Sequence, residues 1–303
     1  MASPPKPAAE RSSFWRWPVA LALRLLLMPF VLHGDLIFIQ YFPWYWSYRG
    51  IPDVYGHLAD TFLKQGFTYY PPLVLWTVGL WQILMKFLMS GFDAWMVRAD
   101  ELMRSGSANA LASYLDGFVR PDLFRWIFLC KLLYLAADAV CLLSIRRLIR
   151  EKREWKRLET FWLFHPVLLF AVYAFGQYRI LSAVMIWLAA LCLIKNRKTL
   201  GMVAFGFVLL TDNFGWLILL PTAFIWGSGA GERIRLLVTG LLPAVIVLIP
   251  WAFVPKGYVL SSYYSPVIAR AATQGIFLSL SSEAAFALKG LFAALWLGVV
   301  GLS

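Results

Sequence analysis

The stretch VLHGDLIFIQYFPWYW (31–46) carries its only acidic or basic charge at Asp35, where an apolar run ends and a crowd of aromatics begins. A carboxylate in that place has two readings. It marks the return of the chain to polar surroundings, or it takes a proton from a group reacting at a membrane surface, which is worth about 10²–10⁴-fold in rate. The residues that follow add Asp53, Asp60, Arg49 and Lys64, and a dense aromatic set that includes Tyr69 and Tyr70. Such aromatics suit an interfacial belt, and they also suit stacking on sugar rings. Gly50, Pro52, Gly56 and Gly66 divide the segment into short helices or turns. Asp53, after Pro52, is well placed to cap a helix start.

Further along, Lys131 and Asp138 stand seven apart in one apolar run, on nearly the same helix face. Each costs about 2.5–3.5 kcal/mol at a bilayer centre, so each is expected to face protein or water. Lys131 lies nearer the external end, where it could help hold a phosphate or pair with another helix. His33, His57 and His165 have no ligand spacing, so no metal site is assigned. Asp53 as the one extra carboxylate near Asp35 is too little to define one, which leaves a divalent cation open.

The elements that must position these groups are apolar helices. The chain has 303 residues, 61% hydrophobic and 15% charged, with a mean hydropathy of +0.69. A soluble domain could not hide that much apolar surface, so the sequence reads as an all-α integral membrane protein. Its net charge is +12. The basic residues concentrate in short loops between apolar runs, which points to topology and lipid headgroups and away from nucleic acid. Cys130, Cys141 and Cys192 lie inside apolar helices and imply no disulfide framework. The N-terminal segment 1–17 reads as a polar tail leading into an uncleaved anchor.

Spans are expected at 13–33, 123–145, 158–176, 180–195, 200–213, 214–228, 235–254 and 285–303; a crossing needs roughly 20 residues, and two of these are short, with TDNFGW between them read as a break at membrane level. The segment 146–157 holds seven basic residues against two acidic ones. The positive-inside rule puts it in the cytoplasm with the N-terminus, provided that the apolar run 71–91 does not fully cross. The outcome is about eight transmembrane helices in one domain, 1–303. A first external loop, 34–122, carries interfacial helices, and a second covers 255–284. The chain stops inside its last apolar run, so the last helix ends the protein or the sequence is a fragment.

In this order the motifs resemble the GT-C glycosyltransferases, polytopic enzymes that use polyprenyl-phosphate sugars. An acidic residue outside the first helix, Asp35, leads into an aromatic external loop and "YYPPL" (69–73). "YLAAD" (134–138), "HPVLLFAVYAFGQYRILSAVMIWLAAL" (165–191), "LLTDNFGWLILLP" (209–221) and "FLSLSSEAAFAL" (277–288) are similar to later stretches of the family. The resemblance implies a hexose donor, mannose slightly favoured, and a glycan or glycolipid acceptor. It implies Asp35 as base, and Arg49, Arg179 and Arg270 as candidates for the leaving phosphate, where arginine is a good bidentate partner. Gln177 is a candidate sugar contact, and Asp53, Tyr69, Tyr70 and Lys131 complete the expected substrate-binding set. Two positions depart from the family. Arg179 stands where an acidic residue is usual, and "TDN" (211–213) replaces a Thr followed by Lys.

Two other classes share parts of this pattern. A lipid or solute transporter is also polytopic, but it places charges near the midplane and repeats its halves, and no repeat is visible here. A non-catalytic scaffold subunit of the same family would accommodate Arg179 and Asn213. An Asp35–Arg179 external cavity is the expectation that separates the enzyme from both.

Overall fold

The computed structural model describes residues 15–32, 34–62, 70–105, 120–212 and 215–252. Among these residues every element is a helix and no strand occurs. In chain order they are α1 (Arg16–Leu27), α2 (Gly34–Ser47), α3 (Val54–Phe62), α4 (Pro72–Met85), α5 (Phe92–Ser105), α6 (Arg120–Leu148), α7 (Lys152–Phe164), α8 (Pro166–Leu168), a π-helical turn (Leu169–Phe175), α9 (Arg179–Ile194), α10 (Lys198–Leu209), α11 (Gly215–Trp226) and α12 (Ala230–Ala252).

Two helical runs, Pro121–Leu148 and Lys152–Phe175, are long and apolar enough to cross a membrane. The first span, expected over 13–33, is helical only over α1's 12 residues. Met28, just before Pro29, keeps helical dihedrals (φ −60°, ψ −49°), and Pro29 itself has no N–H to continue the helical ladder. The run 71–91, expected not to cross fully, contains α4, which starts at its prolines and has 14 residues. The expected span 285–303 lies outside the described residues.

The chain divides into two compact units, where the sequence reads as one domain. One comprises Met1–Arg49 with Thr77–Val184, the other Gly50–Trp76 with Met185–Ser303. In the first unit α1 packs on α7 and on the π-helical turn, α6 on both of these, and α2 on α5. The polar centre of this packing is buried. Arg24 on α1 donates its Nε to Asp138 on α6 at 2.9 Å, and its Nη atoms to the carbonyls of Ala20 (3.2 Å), Leu163 (2.7 Å) and Trp162 (3.4 Å). Asp138 also accepts from Trp162 Nε1 at 2.6 Å and from the Tyr173 hydroxyl. Four of the five guanidinium N–H donors and both carboxylate oxygens are thereby engaged, which is what burying a charged pair requires.

In the second unit α10, α11 and α12 form a mutually packed trio. Its core holds Met202, Phe205, Val208 and Leu209 of α10 with Leu219 and Ala223 of α11 and Leu236 and Ala244 of α12. α10 and α12 approach through glycine. A Cβ on Gly206 would run into the carbonyl oxygen of Gly240 and stand 2.8 Å from Pro243. Small residues of this kind let helix backbones meet without a hydrophobic driving force. The other face of α12 presents Ile234, Val238, Leu242, Val245, Ile246 and Ile249, each 48% to 62% exposed. Their spacing makes one continuous apolar stripe, the surface a helix turns to lipid. Gly206→Val is expected to force α10 from α12 and to cost about 1–3 kcal/mol. An unchanged melting temperature in detergent would contradict the close contact.

Candidate functional site

Asp35 is the second residue of α2; its side chain lies outside the described part of the structure. The residue after it, Leu36, is fully buried. Leu36 abuts Gly176, where a Cβ would stand 3.2 Å from Leu36 Cδ1 and 3.1 Å from Lys131 Cε. Gly176 closes the π-helical turn with φ +81°, a conformation that favours glycine. Gln177 follows, its N–H returning to the Ala171 carbonyl at 3.0 Å, and Arg179 opens α9 with an exposed side chain. The first turn of α2 and the Gly-Gln-Tyr-Arg connection therefore meet around the stem of Lys131.

Lys131 is the fastener of this junction. Its ammonium is buried and donates to the carbonyls of Val31 (2.7 Å), Tyr173 (3.1 Å) and Ala174 (2.6 Å). An ammonium has three donors, and three carbonyls take them. Of the two roles expected for Lys131, the geometry gives it the structural pairing, here to backbone. It neutralises carbonyls left open at the end of the π-helical turn and holds the chain just before α2. Gly176→Ala combines a left-handed backbone strain of about 1–2 kcal/mol with crowding against Lys131 and Leu36. The variant is expected to melt at a lower temperature, and a melting curve like that of the wild type would show that the turn relaxes freely.

α2 and α5 build a second polar cluster in the same unit. Trp44 Nε1 donates to Asp93 at 2.8 Å, and Arg49 pairs with Asp93 at 3.5 Å while lying over the Trp44 ring at 4.7 Å. Arg49 thus has its counter-charge within its own cluster. One heptad along α5, Asp100 accepts from Tyr41 (2.5 Å), Tyr45 (2.6 Å) and Arg104 (2.9 Å). Burial opposes the charge on Asp100, but the hydrogen bonds from Arg104, Tyr41 and Tyr45 outweigh it and hold the carboxyl below its ordinary range. Burial, with the Asp100 bond next, pushes the Tyr45 hydroxyl up to about 12. Asp93 and Asp100 were not among the expected site residues. Their signal was present in the sequence: two carboxylates seven apart on an amphipathic run, FDAWMVRADELMRS, can answer Tyr41, Trp44 and Tyr45 on another helix.

Asp53 belongs to the other unit and caps α3: its carboxylate accepts from Gly56 N–H at 2.9 Å and its carbonyl from His57 N–H at 3.1 Å. That is the capping role its sequence context offered. Tyr70, also in the second unit, accepts the Tyr55 hydroxyl on its carbonyl at 2.6 Å. Tyr69 and Arg270 lie outside the described residues, as do His33 and Asn213. Asp212 is buried at the end of α10, its N–H bonded to the Val208 carbonyl at 2.8 Å. Among the described residues no three His, Cys, Asp or Glu side chains gather in a way that could hold a metal ion. No family model, curated protein or solved structure matches the chain.

Proposed function

We propose that this chain is a multi-pass membrane glycosyltransferase of the GT-C kind, with about eight crossings and a cytoplasmic N-terminus. It moves a hexose, with mannose favoured, from a polyprenyl-phosphate carrier to an acceptor hydroxyl of a glycan or glycolipid on the external face. Asp35 takes the hydroxyl proton as the oxygen attacks the anomeric carbon. The bond from that carbon to the phosphate oxygen breaks, the lipid phosphate departs, and one displacement inverts the configuration. Arg179 is the first candidate to meet the departing phosphate, and Gln177 to bind the sugar.

The observation that most supports this reading is the junction at Lys131. It fixes the first turn of α2, which bears Asp35, against the connection that bears Gln177 and Arg179. A base and a cation for the leaving group must come from separate segments held in register, because catalysis by positioning fails with small displacements. A second reading, a non-catalytic scaffold of the same family, draws on Arg179 standing at a usually acidic position. The deciding assay offers the full-length protein, in membranes, a series of radiolabelled polyprenyl-phosphate hexoses. Transfer above that of membranes lacking the protein supports the enzyme. Absence of transfer with every donor and acceptor pair, from correctly folded protein, favours the scaffold.

A further inference from the structure

An apolar cleft of about 680 Å³ opens between α1, α6 and α7 and lies wholly within the first unit. It is lined chiefly by Trp17, Leu21, Leu135, Ala139, Leu142 and Leu163, with the Arg24–Asp138 pair at its floor. That pair is spent on internal hydrogen bonds, so the cleft itself offers apolar surface. Its volume falls in the range of small-molecule sites, about 300–1,000 Å³.

One end of the cleft runs into positive charge. On α6, Leu135, Ala139 and Leu142 lie along one face, and Arg146 follows on that face one turn further, about 6 Å beyond Leu142. The Arg146 guanidinium stands 5.9 Å from the Trp155 ring, and Trp155 packs against the cluster of Ala20, Leu142 and Leu163, of which Leu142 and Leu163 line the cleft. Arg147 and Arg150 continue the exposed basic surface, and among the described residues neither has an ion-pair partner. On α1, Arg16 precedes Trp17 at the same end and donates to Thr160 at 2.6 Å.

We infer that this cleft and its arginine collar are a binding site for an anionic phospholipid, with an acyl chain along the cleft and the headgroup phosphate on Arg146, Arg147 and Arg150. Charge complementarity selects this occupant. An apolar groove alone would accept any lipid tail, because tails already surround a membrane helix. Cations clustered where the groove meets the headgroup layer select negative lipids. The inference does not rest on the proposed transferase activity.

The test uses the full-length protein in detergent, equilibrated with equal amounts of phosphatidylglycerol and phosphatidylcholine of matched chains, and native mass spectrometry of the retained lipid. Wild type is expected to retain phosphatidylglycerol about ten-fold or more over phosphatidylcholine. Arg146→Gln/Arg147→Gln/Arg150→Gln is expected to lose that preference, while the triple lysine variant at the same positions keeps most of it. Leu21→Trp, which fills the cleft without altering charge, is expected to lose retained lipid of both kinds. Circular dichroism and melting confirm that each variant is folded. A wild type without preference overturns the inference. So does a Leu21→Trp variant that retains phosphatidylglycerol like wild type, since surface charge alone would then hold the lipid. Displacement of phosphatidylglycerol by an equal amount of polyprenyl phosphate would assign the cleft to that lipid and overturn it as well.

Discussion

Asp138→Leu is expected to destabilise the protein by about 3–5 kcal/mol, the cost of leaving a buried charge without its partner. Arg24 has a side chain only 4% exposed, and its Nε has one acceptor, the Asp138 carboxylate at 2.9 Å. The carbonyls of Ala20, Leu163 and Trp162 would still hold the other guanidinium nitrogens, but they carry no compensating charge. Trp162 Nε1 and the Tyr173 hydroxyl would lose their acceptor in the same step, each worth about 1–3 kcal/mol when left unsatisfied. Arg24→Leu/Asp138→Leu removes both charges and is expected to recover a large part of the loss, the remainder reflecting the two orphaned donors. Thermal unfolding of wild type, the single variants and the double variant checks this. A single variant as stable as wild type, or a double variant no better than the worse single, would contradict the account.

The second large effect is on activity. If Asp35 is the base, Asp35→Asn keeps the shape of the side chain and removes the proton acceptor, so turnover should fall by about 10²–10⁴-fold. At about 1.36 kcal/mol per factor of ten, that is about 3–5 kcal/mol of lost transition-state stabilisation. The fall should appear in kcat, with the KM for the lipid donor little changed, because the proton moves only in the transition state. Expression and melting should match wild type. A variant retaining more than a tenth of the activity would move the base elsewhere. A variant whose donor KM rises with kcat unchanged would make Asp35 a binding residue.

The helical character, the order of the elements and several polar roles were legible in the sequence, each for a physical reason. Asp53, also a substrate-binding candidate, read as a helix cap because it follows Pro52 and precedes an apolar start, and it caps α3. Lys131 and Asp138 read as facing protein because neither is tolerated in lipid, and both are buried. Arg24 obeys the same rule inside an equally apolar run and was passed over. An arginine there demands a carboxylate, and Asp138, itself inside an apolar run, is the one it finds. Helix lengths were less legible, because hydropathy reports the solvent around a segment and not where its backbone turns. α1 ends at Leu27, before Pro29 and before the apolar run does. The meeting of Gly206 with Gly240 was also hidden, since a glycine in a helix names no partner. The segment 34–122, read as carrying interfacial helices, holds α2 to α5, and two carboxylates at helical spacing on α5 answer the aromatics of α2.

Lys131 also has a consequence for how the chain can vary in length. Its acceptors come from two places far apart in sequence, Val31 ahead of α2 and the Tyr173–Ala174 pair at the end of the π-helical turn. Only four positions separate Val31 from Asp35. One residue added within α2 ahead of Leu36 would turn the rest of the helix by about 100° relative to its start. Leu36 would then face away from Gly176, and Tyr41, Trp44 and Tyr45 would swing away from Asp93 and Asp100. The start of α2 is therefore a ruler. Its residue types can change more readily than their number, and deletions or insertions there should be tolerated less well than most substitutions.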